Sequence, residues 1–211
     1  LHGFLLLLLV LVLLPLALLA LLVPVLLLDL VEEAVRRARA VVDEKSPDLS
    51  EDERTEVAEA VGTAAIRYAD LSQNPQSNVT FTWDKMLSLE GNTAPYLMYS
   101  LARCRSIQRK SEEAPSLAAL GAVGQFERAL VMHLLRFGDA VTVAAGVYRP
   151  NLLCDYLYET ANIFNRFYRE ERVLGAATSE DRARRLALVE ATASTLERGF
   201  GLLGIQPLAR M

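Results

Sequence analysis

Between Gly91 and Lys110 stand four cations, Arg103, Arg105, Arg109 and Lys110, and no carboxylate. Tyr96, Tyr99 and Arg103 are spaced three and four residues apart, so a helix would carry them on one face. Two aromatic rings and a guanidinium on one face can stack splayed bases and grip phosphates. Phe164 and Tyr168 repeat the i, i+4 spacing, with Arg166 and Arg169 beside them. The same spacings also fill cores and solvated faces, and on residue types alone core packing is the favoured reading.

No other constellation offers chemistry. His2 and His133 are far apart and have no zinc spacing. His133 lies in an apolar stretch and reads as a packed or rim histidine. Cys104 and Cys154 have no metal-binding interval and read as small packed hydrophobes. There is no Walker loop and no G-x-G-x-x-G. The Asn78-Val79-Thr80 triplet could accept a glycan only in a secreted protein. The residues give no catalytic group and no metal ligand set.

The elements that would hold these residues are helical. Leu30, Ala34, Val35, Ala38 and Val41-Val42 have helical spacing over Asp29 to Lys45. Ser46-Pro47 ends that helix. Ser50-Glu51-Asp52-Glu53 has the pattern of a capping box opening a helix to about Leu71. The polar stretch from Ser72 to Asn78 reads as a loop, and Val79 to Trp83 as a short extended segment. Helices are expected from Ala94 to Glu113, from Pro115 to about Arg136, over Asp139 to Ala145 and from Pro150 to about Glu171. Ser179 should cap a last helix that Gly204 can close. No βαβ alternation is present, so a Rossmann sheet is not encoded and the expected class is an all-α bundle.

Composition bounds the rest. The chain has 211 residues, 52% of them hydrophobic and 23% charged, with a net charge of -4. This excludes a disordered chain and a multi-span membrane protein. With a pI near 5.3, any nucleic-acid contact must use a local patch. The mean hydropathy of +0.23 is high, and Phe4 to Leu28 is its source, with no charged residue at all. The run is long enough to span a bilayer. Pro15 and Pro24 interrupt it, and no Lys or Arg precedes it. Two readings of residues 1–28 stay open: a membrane-anchor-like segment, and a low-complexity or mis-framed remnant.

Several motifs resemble one family. They are Tyr68-Ala69-Asp70-Leu71-Ser72-Gln73-Asn74, Trp83-Asp84-Lys85-Met86-Leu87 and Gly91-Asn92-Thr93-Ala94-Pro95-Tyr96-Leu97. Later come Arg149-Pro150-Asn151-Leu152-Leu153-Cys154-Asp155-Tyr156-Leu157-Tyr158-Glu159, Phe164-Asn165-Arg166-Phe167-Tyr168, and an ending from Leu202-Leu203-Gly204-Ile205 to Arg210-Met211. In this order they are similar to the carboxy-terminal part of arginyl-tRNA synthetases, over about residues 28–211.

The resemblance implies a class I synthetase with an all-helical anticodon-binding (DALR) domain. It implies residues 29–90 as a joining segment and 91–211 as the anticodon-binding bundle. It implies tRNA contacts from Tyr96, Tyr99, Arg103, Phe164, Tyr168 and Met211. The implied partners are tRNA(Arg) and the catalytic domain of the same enzyme, with a membrane only through residues 1–28. The implied location is the cytoplasm, or a membrane if the head is an anchor. In the family, ATP and arginine are bound by an upstream Rossmann domain with a HIGH-like motif. Nothing here matches that motif, so no cofactor is expected in this chain, ATP belongs to the parent enzyme, and this chain alone is not expected to activate arginine.

Overall fold

The computed structural model describes residues 26–77, 82–116 and 123–208. Most of the apolar run, residues 1–25, and Met211 lie outside them. So do Val79 to Phe81 of the expected extended segment, and residues 117–122 of the helix expected from Pro115; Trp83 itself is helical.

Among the described residues every regular element is a helix. Helix α1 runs through residues 26–45, so the helix expected from Asp29 begins inside the apolar run. It is followed by α2 (Glu51–Leu71), α3 (Trp83–Met86), α4 (Ala94–Arg109), α5 (Gln125–Leu134), α6 (Phe137–Gly146), α7 (Pro150–Glu170) and α8 (Ser179–Leu202). Helix α4 packs on α2, α7 and α8, while α5 and α6 lie against α7.

The caps explain most boundaries. The Ser50 side chain accepts the Glu53 N–H, and the Glu53 carboxylate accepts the Ser50 N–H, which is the expected capping box. Thr93 caps α4, with Pro95 in its first turn. The last helix is capped by Thr178, not Ser179, because the Thr178 side chain accepts the Asp181 N–H. At its end Gly204 takes φ +66°, the Ile205 N–H reaches the Phe200 carbonyl, and the Gly204 N–H reaches Gly201. This is a Schellman closure. Helix α4 stops at Arg109, short of the expected Glu113, and α5 begins only at Gln125, after Gly124 at its N-cap.

Of two buried apolar clusters among the described residues, the smaller joins Ala34, Ala65 and Met86, and the larger runs through the bundle. Leu97, Met98, Leu101, Leu157, Phe164, Phe167, Leu196 and Phe200 are fully buried in it. Both cysteines are buried and unpaired. Burial pushes the Cys154 thiol up to about 12, which keeps it a neutral packing group. The fully buried Glu127 of α5 is held by Arg184 Nε at 3.1 Å and Arg185 Nε at 2.6 Å. Those contacts clamp α5 to α8. The stretch Gln125–Gly146 is long and apolar enough to cross a bilayer by composition. Here it is split into α5 and α6, both packed on α7, and Glu127 inside it is paired with two arginines.

His133 stacks on Tyr156 at 4.4 Å between centroids, and its Nε2 lies 2.9 Å from the Thr160 hydroxyl. Burial holds its basicity below the ordinary value of 6.5, against the opposing pull of the Tyr156 carbonyl and Glu159.

Helices α1 and α2 meet backbone to backbone at Gly62. A Cβ there would sit 2.7 Å from the Val35 Cα and N atoms. Neither backbone atom can swing aside.

Two outcomes follow from these contacts. Gly62→Ala gains about 0.5–1 kcal/mol of helix propensity but forces α1 outward at a cost of about 1–3 kcal/mol. Urea unfolding should therefore show net destabilisation. The His133 imidazole is less basic folded than unfolded, so the unfolded chain binds more protons and stability falls as pH drops through 6.5. His133→Asn should flatten that part of the stability–pH curve measured between pH 7.5 and 5.5.

Candidate nucleic-acid interface

The turn before α4 is built first. Gly91 adopts φ +82°, which a side chain would strain. Asn92 Nδ2 donates to Asp155 at 3.0 Å, and Asn92 Oδ1 lies 2.5 Å from the Tyr68 hydroxyl. That hydroxyl also lies 3.0 Å from the Cys154 carbonyl, so one proton serves two acceptors. Thr93 donates to the Ser88 carbonyl at 2.7 Å. The start of α4 is thereby tied to α2 and α7, and the direction of its Tyr96–Tyr99–Arg103 face follows.

Across that face lies α7. Asn165 Nδ2 donates to the Tyr96 hydroxyl at 3.0 Å and to Ser100 Oγ at 3.1 Å. Asn165 Oδ1 accepts from Arg103 Nη1 at 2.6 Å. The Tyr96 hydroxyl in turn donates to Asn162 Oδ1 at 2.8 Å. One carboxamide thus uses both its N–H groups and its oxygen to join the two helices. Neither Asn162 nor Asn165 was among the sequence candidates. Their signal was the 162, 165, 168 spacing, which puts two carboxamides on the same side of α7 as Tyr168.

Arg103 emerges between two rings. Its guanidinium carbon is 4.9 Å from the Tyr99 ring centroid and 5.4 Å from that of Tyr168. Tyr99 is 44% and Tyr168 40% exposed, so both rings face solvent while still touching the cation. Tyr96 is half-buried, packed edge-on to Tyr158 at 5.7 Å.

Two expectations need correction. Phe164 is fully buried and cannot present its ring to a ligand. It packs behind Tyr168 at 6.2 Å and beside Phe167 at 6.4 Å, so it supports the exposed ring. The four cations of the 91–110 stretch also do not act together. Arg105 points away, to Glu197 at 2.5 Å and Glu190 at 3.3 Å, and ties α4 to α8. Arg103 and the exposed Arg109 and Lys110 remain on the outer side. Met211 lies outside the described residues.

The comparisons decide the family. Residues 97–211 match the DALR anticodon binding domain, and residues 23–83 match the catalytic domain of class I (R) tRNA synthetases. The chain belongs to the arginyl-tRNA synthetase family. It is 49% identical over 187 residues to the arginine–tRNA ligase of Chloroflexus aurantiacus, covering 87% of this chain and 33% of that protein. The Escherichia coli K12 arginine–tRNA ligase is 43% identical over 188 residues, with 88% and 33% covered. The Thermus thermophilus arginyl-tRNA synthetase structure superposes with a TM-score of 0.79 at 38% identity, covering 87% of this chain and 32% of that one. The Plasmodium falciparum arginyl-tRNA synthetase follows, with a TM-score of 0.76 at 29% identity over 88% and 33%. The chain spans about a third of the length of these synthetases.

The two family matches divide the site. The DALR match contains Tyr99, Arg103, Asn165 and Tyr168, and the catalytic-domain match takes in α1 and α2, with Tyr68. The synthetase chain thus uses a residue of one part to fix the turn that aims a helix of the other.

Asn165→Ala removes the shared carboxamide and leaves Tyr96 and Ser100 short of a donor. It should destabilise the bundle by about 1–3 kcal/mol in urea unfolding. It should also free the Arg103 side chain, visible as averaged guanidinium resonances by NMR.

Proposed function

We propose that this chain is the part of an arginine–tRNA ligase that grips the anticodon loop of tRNA(Arg). The observation that carries this reading is Arg103 held between the half-exposed rings of Tyr99 and Tyr168. A cation between two solvent-facing rings offers a phosphate partner flanked by two stacking platforms. Membership of the synthetase family gives the RNA its identity. Tyr99, Arg103 and Tyr168 contact the loop. Tyr96 is half-buried and contributes an edge, while Phe164 supports Tyr168 from behind. Met211 belongs to the proposal through the resemblance alone.

Residues 91–211 act as the binding bundle and 29–90 as the joining segment. Activation of arginine with ATP belongs to the parent enzyme, and no residue here is assigned to it. The proposed location is the cytoplasm. A membrane role rests on the apolar run alone and is not preferred.

Titration of labelled tRNA(Arg) with the full chain tests the reading. Tyr99→Ala, Tyr168→Ala and Arg103→Ala should each weaken binding by about 1–3 kcal/mol. Arg103→Ala should also lower the slope of log K against log salt by about 0.7. Phe164→Leu should cost stability before it costs affinity. Equal affinity for the wild type and all three alanine variants would defeat the proposal.

A further inference from the structure

A cleft of about 360 Å³ adjoins the aromatic cluster. One wall is the turn between α1 and α2, with Lys45, Asp48 and Leu49, and the other is α4, with Tyr99, Arg103 and Ser106. The turn is closed by the Leu49 N–H on the Ser46 carbonyl at 3.3 Å, and Leu49 is buried beneath it. The volume is at the lower end of small-ligand sites, about 300–1,000 Å³. Tyr99 and Ser106 are seven residues apart, so the cleft runs about 10 Å along α4.

Its lining is mixed in a particular way. Arg109 also lines it, so three cations face one carboxylate, Asp48. Among the described residues Lys45 pairs with its neighbour Glu44, at 2.7 Å on an exposed surface where solvent screens the attraction. Lys45 can therefore turn to a phosphate at little cost. A carboxylate on the wall repels a bare anion but accepts an N–H from a base. Leu49 and Ala102 supply apolar surface for the base to lie on.

We propose that this cleft is a second nucleotide subsite, continuous with the aromatic cluster. It takes one further unstacked nucleotide of the same RNA, with a base that carries an amino group. The base amine donates to Asp48, and the phosphate meets Lys45 and Arg109. Uracil has no amino group and offers Asp48 only its single N3–H, so it is the poorer fit there. The inference rests on the loop-binding reading above and extends the RNA-binding surface onto the α1–α2 turn, within the part of the chain that matches the catalytic domain.

The test uses the full chain and labelled tRNA(Arg). Ser106→Leu fills the cleft, and binding should weaken about 5- to 100-fold. Lys45→Ala, at an exposed position, should lower the salt slope by about 0.7. A set of tRNA transcripts with uridine placed at each loop position in turn should include one position whose penalty vanishes in Asp48→Ala. Thermal melting of each variant checks the fold, and Lys45→Ala remains decisive if Ser106→Leu fails to fold. If Tyr99→Ala weakens binding but Lys45→Ala and Ser106→Leu leave affinity and slope unchanged, the cleft is not a subsite and the aromatic site stands. If Tyr99→Ala, Arg103→Ala and the cleft variants all bind like wild type, both readings fall.

Discussion

The proposed recognition face depends on the carboxamide of Asn165. Its N–H groups reach Tyr96 and Ser100 of α4, and its oxygen receives Arg103. An asparagine side chain offers donors and an acceptor on one rigid plane. Three groups fixed to one plane are fixed to each other. The crossing of α4 and α7, the height of Arg103 and the gap between the two exposed rings are therefore one geometrical fact. A cation–π contact at an exposed site is worth about 0.5–1 kcal/mol. That is too little to hold a long arginine still by itself, so the rings need the amide beneath them.

The same economy recurs at both ends of the bundle. Polar side chains at these seams join helices that a purely apolar interface would leave free to slide. Tyr68, Asn92 and Asp155 join α2, the turn before α4 and α7. Glu127 joins α5 to α8 through two arginines. A buried ion pair adds little net stability because desolvation offsets the attraction. What it adds here is register, since an unpaired buried charge makes every shifted packing costly.

How much of this was legible in the sequence differs by residue. The capping box at Ser50 and the Gly204 closure could be read because they are local, decided by residues within six positions. The shared face of Tyr96, Tyr99 and Arg103 followed from helical spacing for the same reason. The fate of Phe164 was not legible. Spacing puts it one turn from Tyr168, but only the facing helices determine which of two neighbouring rings is buried. Arg105 stood in a positive run and was spent on Glu197, 92 residues away. Gly62 carries no local signal of its role, because that role lies in the backbone of another helix. Long-range partners, not residue types, separate what could be read from what could not.

The bare contact at Gly62 has a mechanical consequence. Val35 touches Gly62 ten residues, or about 15 Å, before α1 ends at residue 45. The arm of α1 beyond that contact behaves as a lever: a tilt of about 5° at the pivot moves residue 45 by about 1.3 Å. Misplacements of about 1 Å are enough to cost an enzyme two orders of magnitude in rate. The missing side chain of one glycine thus sets the alignment tolerance of the turn that follows residue 45.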